Sequence, residues 1–262
     1  MIMARETGTG SASTGRTLQV LETLVVTTAP VTLTELARRC GIPLATCSAI
    51  VASLEDRGYA QRSVVGRSHL WRPTLKLYGL GMQTLRRFEL ADESIPILNQ
   101  LRDEVGLTAH LGVLDGAQVV YVAKAGTGTM VQFNTYPGRV SPYNVTALGK
   151  AIAAFSPEHQ QQELLDQALP GHGPKGTGSS GRPLREEFGL IRERGFAVED
   201  QEEEAGIACI AAPVLDRDGF AVAAVGVTGL EHQLMLDQRA GIARAVVRAA
   251  DTVALSTGLR GS

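Results

Sequence analysis

Along residues 16–27, apolar side chains recur at Leu18, Leu21 and Val25, a helical spacing that stops at Ala29-Pro30. A second run starts locally. Thr32 lies three residues before Glu35, so hydroxyl and carboxylate can cap each other's free backbone N–H groups, and Leu33, Leu36 and Ala37 then form a buried stripe. Gly41-Ile42-Pro43 ends that helix, because Gly accepts the positive φ of a helix C-terminus and Pro lacks the N–H that continuation needs. The third run puts Cys47, Ile50, Val51 and Leu54 on one face and leaves Ala45, Thr46, Ser48, Ala49, Ala52 and Ser53 outside. On these residues alone, a plain helical hairpin and a DNA-reading helix-turn-helix fit equally well. Residues 58–71 then alternate loosely and turn near Val65-Gly66, which predicts a β-hairpin. Three helices and a hairpin make a winged helix over residues 15–73, preceded by a polar tail, 1–14, expected to be disordered.

Residues 74–87 (TLKLYGLGMQTLRR) continue as a linker helix, in which Gly79 and Gly81 cost about 1 kcal/mol each relative to Ala and mark a bend. A further helix over 89–105 carries Ile95, Ile97, Leu98 and Leu101, with Pro96 in a first turn or at a kink. From Thr108 the pattern changes to strands, at 108–114, 117–125 and 130–136, expected to pair antiparallel. Helices return at 147–155, 157–165 and 182–193, with a Gly-rich loop at 171–181 that composition marks as the least ordered internal stretch. Strands at 207–215 and 221–230 surround the turn Asp216–Gly219, and a last helix spans 236–255. The second domain, 88–258, therefore reads as an antiparallel sheet with helices against it, and the whole chain as α+β.

Composition is that of a folded chain, with 44% apolar and 20% charged residues. No apolar run reaches the ~20 residues of a membrane span, and the polar start is unlike a signal peptide, so a cytoplasmic protein without a membrane partner is expected. Cys40, Cys47 and Cys209 have neither the count nor the spacing of a disulfide framework or zinc site, and no cofactor is implied. Charge is distributed unevenly. Residues 1–87 hold 11 Lys/Arg against 5 Asp/Glu, net +6, while residues 88–262 hold 14 against 22, net −8. That split suits a front end that meets double-stranded DNA, with Arg38, Arg39, Arg57, Arg62, Arg67 and His69 on phosphates and Ala45, Thr46 and Ser48 at the groove.

The pieces LTELARRCGIP, SLEDRGY and GRSHLWRP resemble the N-terminal half of IclR-family transcriptional regulators. The last resembles the Gly-Arg-x-aromatic-x-Leu-Thr-Pro wing of members that control aromatic catabolism. The likeness departs at the recognition helix, where Leu44, Ala45, Ser48 and Ala49 stand in place of the family's frequent Lys, Ser, His and Arg, and at His69 and Trp71 in the wing. TALGKAIAAF at 146–155 and RGFAVEDQEEEAGIACIAAPV at 194–214 resemble two further signatures in the family's order, so the likeness covers about residues 16–255.

This resemblance implies a GAF-like effector domain, homodimers through the N-terminal half, often homotetramers through the C-terminal half, and a small organic acid or aromatic effector. By motif position Ala147, Leu148 and Gly149 would offer backbone N–H groups, and Glu199, Cys209, Gly226 and Thr228 would surround the ligand. Gly226 replaces a common Ser, which implies a larger pocket or a less polar ligand, and Tyr143 and Asn144 stand where the family usually has an apolar residue and His. Independently of the resemblance, Thr146 as a cap leaves a positive helix end that attracts a carboxylate.

Plainer readings stand beside these. Cys209 fits a core filler, Thr228 can simply satisfy the sheet, and a solvated loop explains most of the five acids in residues 199–204. Gly149-Lys150 lacks the rest of a phosphate loop. An enzyme is the rival from another class, but His110, His159, His172 and His232 are scattered and there is no Gly-x-Ser-x-Gly turn. A winged helix that makes only protein contacts also stays open.

Overall fold

A computed structural model describes residues 12–66, 68–85, 89–128, 133–168, 183–234 and 236–260. The chain separates into two compact units, residues 1–87 and 88–262.

In the first unit, α1 (Ala12–Val26), α2 (Leu33–Cys40) and α3 (Leu44–Asp56) enclose a core of Val20, Leu24, Leu36, Cys40, Cys47, Val51 and Leu54. α1 starts earlier than expected: residues 12–14, assigned to the tail, are helical, and the Thr17 hydroxyl donates to the Ser13 carbonyl at 3.0 Å. Residues 1–11 lie outside the described ones. Only half of the expected capping box forms. Thr32 accepts from the Glu35 amide, 3.2 Å, but the Glu35 carboxylate turns outward to Arg38 and Arg39, while Thr32 itself pairs in the short strand β1 (Val31–Thr32). Gly41 closes α2 at φ 64°, the left-handed value for which Gly is suited.

The wing is β2 (Ala60–Val65) and β3 (Ser68–Pro73), joined across Gly66, and β1 adds a third strand that places Val31 opposite Trp71. Next comes α4 (Lys76–Leu85), which runs uninterrupted through Gly79 and Gly81.

The second unit opens with α5 (Glu89–Val105). Its buried stripe is Leu90, Ala91, Ser94, Leu98 and Leu101, which leaves Ile95 44% exposed. Pro96 sits mid-helix on the exposed side, where water can serve the carbonyl left without a donor.

Strands β4 (Thr108–Asp115), β5 (Gln118–Ala125), β6 (Val140–Pro142), β7 (Ala197–Asp200), β8 (Ile207–Leu215) and β9 (Ala221–Leu230) form one antiparallel sheet in the order β6-β5-β4-β9-β8-β7. The strand expected at 130–136 is not found. Residues 130–132 lie outside the described ones, and from Phe133 to Tyr136 no strand forms, because side chains occupy the carbonyls. Lys124 Nζ donates to the Phe133 and Thr135 carbonyls at 3.2 and 2.6 Å, and Arg139 donates to that of Asn134. β6 takes the edge instead, a place that tolerates Pro142 because no donor is needed there.

Helix α6 (Ala147–Ala154) lies on β4, β8 and β9, with α7 (Glu158–Asp166) and α8 (Leu184–Arg194) behind it. The Gly-rich loop expected at 171–181 falls outside the described residues. α5 packs with α9 (Leu236–Ser256) against the sheet as well, and the two sets of helices cover opposite faces. β8 and β9 are therefore buried almost end to end. No helix among the described residues is long and apolar enough to cross a membrane.

Candidate DNA face and effector site

The outward face of α3 is small. Leu44, Ala45, Ser48, Ala49, Ala52 and Ser53 are exposed and Thr46 half-buried, while Cys47, Ile50, Val51 and Leu54 are buried as the spacing requires. Arg57 is exposed just past the helix, and Arg62 and His69 are exposed on the wing, with the Arg62 guanidinium 5.9 Å from the centre of the Trp71 ring. Arg67 lies outside the described residues. Arg38 and Arg39 both pair with Glu35 at 2.7 Å, and these hydrogen bonds hold the Glu35 carboxyl down at about 2. Their positive charge is thus partly matched within α2.

In the second unit the strand register builds a polar row. Thr108 pairs with Thr228, Thr228 with Cys209 and Cys209 with Glu199, so the four side chains line one face across four strands. The next row is His110, Gly226, Ala211 and Ala197. Over these rows lies the start of α6, where Thr146 accepts from the Gly149 amide at 3.1 Å. Helix geometry leaves the first N–H groups without intrahelical acceptors; with Gly149 taken by the cap, Ala147 and Leu148 are the donors at the cavity wall.

Gly149 has a further role, because a Cβ there would come within 2.3 Å of the Tyr143 carbonyl oxygen, and only Gly lets α6 start so close to that turn. Tyr143 and Asn144 line neither the inner nor the outer cavity beside α6. Tyr143 is fully buried with its hydroxyl on the Leu164 carbonyl, 2.7 Å, and Asn144 is buried in the same turn.

Two adjoining spaces result. The inner one, between His110, Thr146, Leu148, Cys209, Gly226 and Thr228, holds only about 10 Å3. Gly226 does not widen this inner space, because an added Cβ there would stand 3.0 Å from Ala211 Cβ and 3.1 Å from the Leu148 side chain, which packs over it. The outer one, about 220 Å3, shares Tyr121, Cys209 and Thr228 with the inner and adds Phe133, Arg139, Glu199 and Glu203.

Thr228 Oγ1 lies 3.3 Å from Cys209 Sγ and 3.5 Å from His110 Nδ1, while His110 Nε2 is 2.8 Å from the Thr135 hydroxyl. His110 also meets Tyr121 edge to face, with ring centres 5.4 Å apart. Burial, helped by Lys124 and Arg139, pushes His110 down to about 3, and burial pushes the Cys209 thiol and Tyr121 hydroxyl up.

The acidic run is not mainly a solvated loop. Glu199 is buried and accepts from the amides of Glu202 (2.6 Å) and Glu203 (3.3 Å), and burial raises it to about 7. Glu202 is buried on Lys150 at 2.5 Å, and Glu203 accepts from Arg139 and Ser141, both at 2.7 Å. Lys150 also donates to Glu187 on α8 at 2.9 Å. One network therefore runs from α8 through α6 to both walls of the outer cavity.

Residues 82–255 match the family model described as the bacterial transcriptional regulator IclR C-terminal domain, and residues 13–63 match the IclR helix-turn-helix domain. The chain belongs to the IclR family. It is a transcriptional regulator with an N-terminal DNA-binding unit and a C-terminal ligand-binding unit. Over 248 residues it is 27% identical to the HTH-type transcriptional regulator BhcR of Paracoccus denitrificans, covering 95% of this chain and 88% of that one. The IclR structure from Thermotoga maritima superposes with a TM-score of 0.76 at 25% identity, covering 94% and 98% of the two chains. An IclR homologue from Microbacterium hydrocarbonoxydans, complexed with 4-hydroxybenzoate, has the same fold with a TM-score of 0.74 at 21% identity, covering 93% and 99%.

Within this IclR-family site, His110, Tyr121, Thr135, Arg139 and Glu203 were not singled out by the sequence reading. A signal existed for His110. It shares the period-2 face of Thr108. Arg139 and Glu203 come together across 64 residues of sequence, for which no local pattern speaks.

The two shifted groups oppose each other in pH. His110 drops from 6.5 to about 3, so the unfolded chain binds a proton the folded one refuses, and that stability is lost as pH falls below 6.5. Glu199 rises from 4.5 to about 7, so its stabilisation is full below 4.5 and lost as pH climbs towards 7. Between about pH 4.5 and 6.5 the slopes, each about 1.4 kcal/mol per pH unit, cancel. Glu199→Gln removes one of them. Urea unfolding of the variant should then gain stability relative to wild type by about 1.4 kcal/mol for each unit of rising pH in that window; parallel profiles would contradict the assignment.

Proposed function

We propose that this regulator binds operator DNA as a homodimer, and in a tetrameric assembly of such dimers, and that a small carboxylic acid held beneath α6 changes that binding. The carrying observation is the uncapped amide pair of Ala147 and Leu148 beside the Thr228 hydroxyl, in a cavity with no carboxylate on its inner wall. Amides at a helix start and a hydroxyl opposite suit a carboxylate. Gly149 and Gly226 shape this wall, Cys209 and Glu199 continue it outward, and the body of the effector occupies the outer space beside Tyr121 and Phe133. The aromatic-type wing and the 4-hydroxybenzoate bound by the Microbacterium homologue support an aromatic acid. Exposed Leu18, Val26, Leu75 and Tyr78 on the first unit support dimerisation there.

Binding to DNA rests on the basic first unit, with Arg57, Arg62, Arg67 and His69, and more weakly the Glu35-paired Arg38 and Arg39, on phosphates, and Ala45, Thr46 and Ser48 in the groove. The chain acts in the cytoplasm, where its DNA is, and carries out no catalysis. A thermal-shift panel of small acids and their neutral amides, followed by turnover assays on the hits, tests this. Acids should stabilise where amides do not, and no hit should be consumed. On the DNA side, Arg62→Ala should weaken binding to every duplex and make the slope of log affinity against log salt shallower by about 1. An unchanged slope would remove Arg62 from the phosphate contacts.

A further inference from the structure

We infer that α3 reads its operator through thymine methyl groups, with Leu44, Ala45 and Ala49 as the reading surface. The inference rests on α3 being the helix that enters the major groove, as the helix-turn-helix match implies. In that geometry the N-terminal residues of the helix meet the base edges. Here those residues are Leu44, 49% exposed, and exposed Ala45, Ser48, Ala49 and Ala52.

The major groove can be read only by groups that match its pattern. Guanine is chosen by the paired donors of Arg or Lys, adenine by the amide of Asn or Gln, and thymine by apolar contact with its C5 methyl. Between Leu44 and Ser53 the helix carries no Arg, Lys, Asn or Gln. Its hydroxyls, Thr46, Ser48 and Ser53, serve any base and discriminate little. Arg57 comes too late, because twelve residues of helix separate it from Ala45 by roughly 18 Å. The guanidinium groups of α2 are held at 2.7 Å by Glu35. What remains at the tip is a set of methyl groups, and the base feature complementary to a methyl surface is another methyl.

The test uses the full-length protein. Duplexes are enriched by selection from a random-sequence library, and the enriched site is then synthesised with thymine or with uracil, which differs by the C5 methyl alone. Each methyl buried against α3 should contribute about fourfold in affinity, so a symmetric site with one such thymine per half should lose about sixteenfold on replacement by uracil. Leu44→Ala, at a half-exposed position outside the core, should bind the thymine duplex less well, shrink the uracil penalty and leave the salt slope unchanged. Equal affinity of wild type for thymine and uracil duplexes would overturn the inference while leaving DNA binding intact. Failure to enrich any duplex would instead overturn the DNA reading on which it rests.

Discussion

Lys150→Met should destabilise the second unit by about 3–5 kcal/mol, the cost typical of removing one partner from a buried ion cluster. Lys150 is 0% exposed and its ammonium is the hub between Glu187 and Glu202, at 2.9 and 2.5 Å. Without it, the buried Glu187 and Glu202 carboxylates lose the ammonium they share, and Glu187 Oε2 already lacks a hydrogen-bond partner among the described residues. Replacing all three by apolar residues of similar volume should recover most of the loss, since desolvating the cluster is itself costly. The measurement can be confined to the right unit. Trp71, the single tryptophan, sits in the first unit's core, so its fluorescence reports that unit alone. Circular dichroism in urea should show an early transition in Lys150→Met that Trp71 does not follow. A shift below 1 kcal/mol would mean the cluster is not a buried support for α6.

The second large effect is on the effector. Thr228 is 6% exposed, and it borders both the inner and the outer cavity. A buried hydrogen bond to a charged group is worth about 1.5–3 kcal/mol, so Thr228→Val, close in shape but without the hydroxyl, should weaken a carboxylate effector at least tenfold. DNA affinity in the absence of effector should be unchanged. Calorimetry with the acid and its neutral amide separates the cases. Equal affinity for both, indifferent to the substitution, would show that the anion site is misplaced or the ligand is not an anion.

Local signals carried most of the fold. The spacing of Cys47, Ile50, Val51 and Leu54, the Gly41 stop and the Thr146 cap each act within one or two turns, and each stands where the sequence puts it. What was illegible is what depends on distant partners. Over the described part of the strand expected at 130–136, Phe133–Tyr136, no strand forms because Lys124 and Arg139 claim its carbonyls, and Val140–Pro142 takes the sheet edge. The acids of residues 199–204 look solvated until Lys150, Arg139 and Ser141 arrive from other elements. Gly226 suggests an opening, and Leu148, a residue 78 positions earlier, packs over it. Tyr143 has the right motif position for a ligand contact, yet its hydroxyl is claimed by Leu164.

Coupling between the two units is the heart of the proposed function, and it must be reciprocal in free energy. Its most direct measurement is fluorescence anisotropy of the enriched duplex titrated with protein, without and with a saturating panel acid, in wild type and Thr228→Val. In wild type the acid should change DNA affinity by roughly 5- to 150-fold, and saturating DNA should change acid affinity by the same factor. In Thr228→Val the same response should appear only at ten or more times the acid concentration. If DNA affinity is identical with and without saturating acid in wild type, the acid is not this regulator's effector and the site beneath α6 does not control DNA binding.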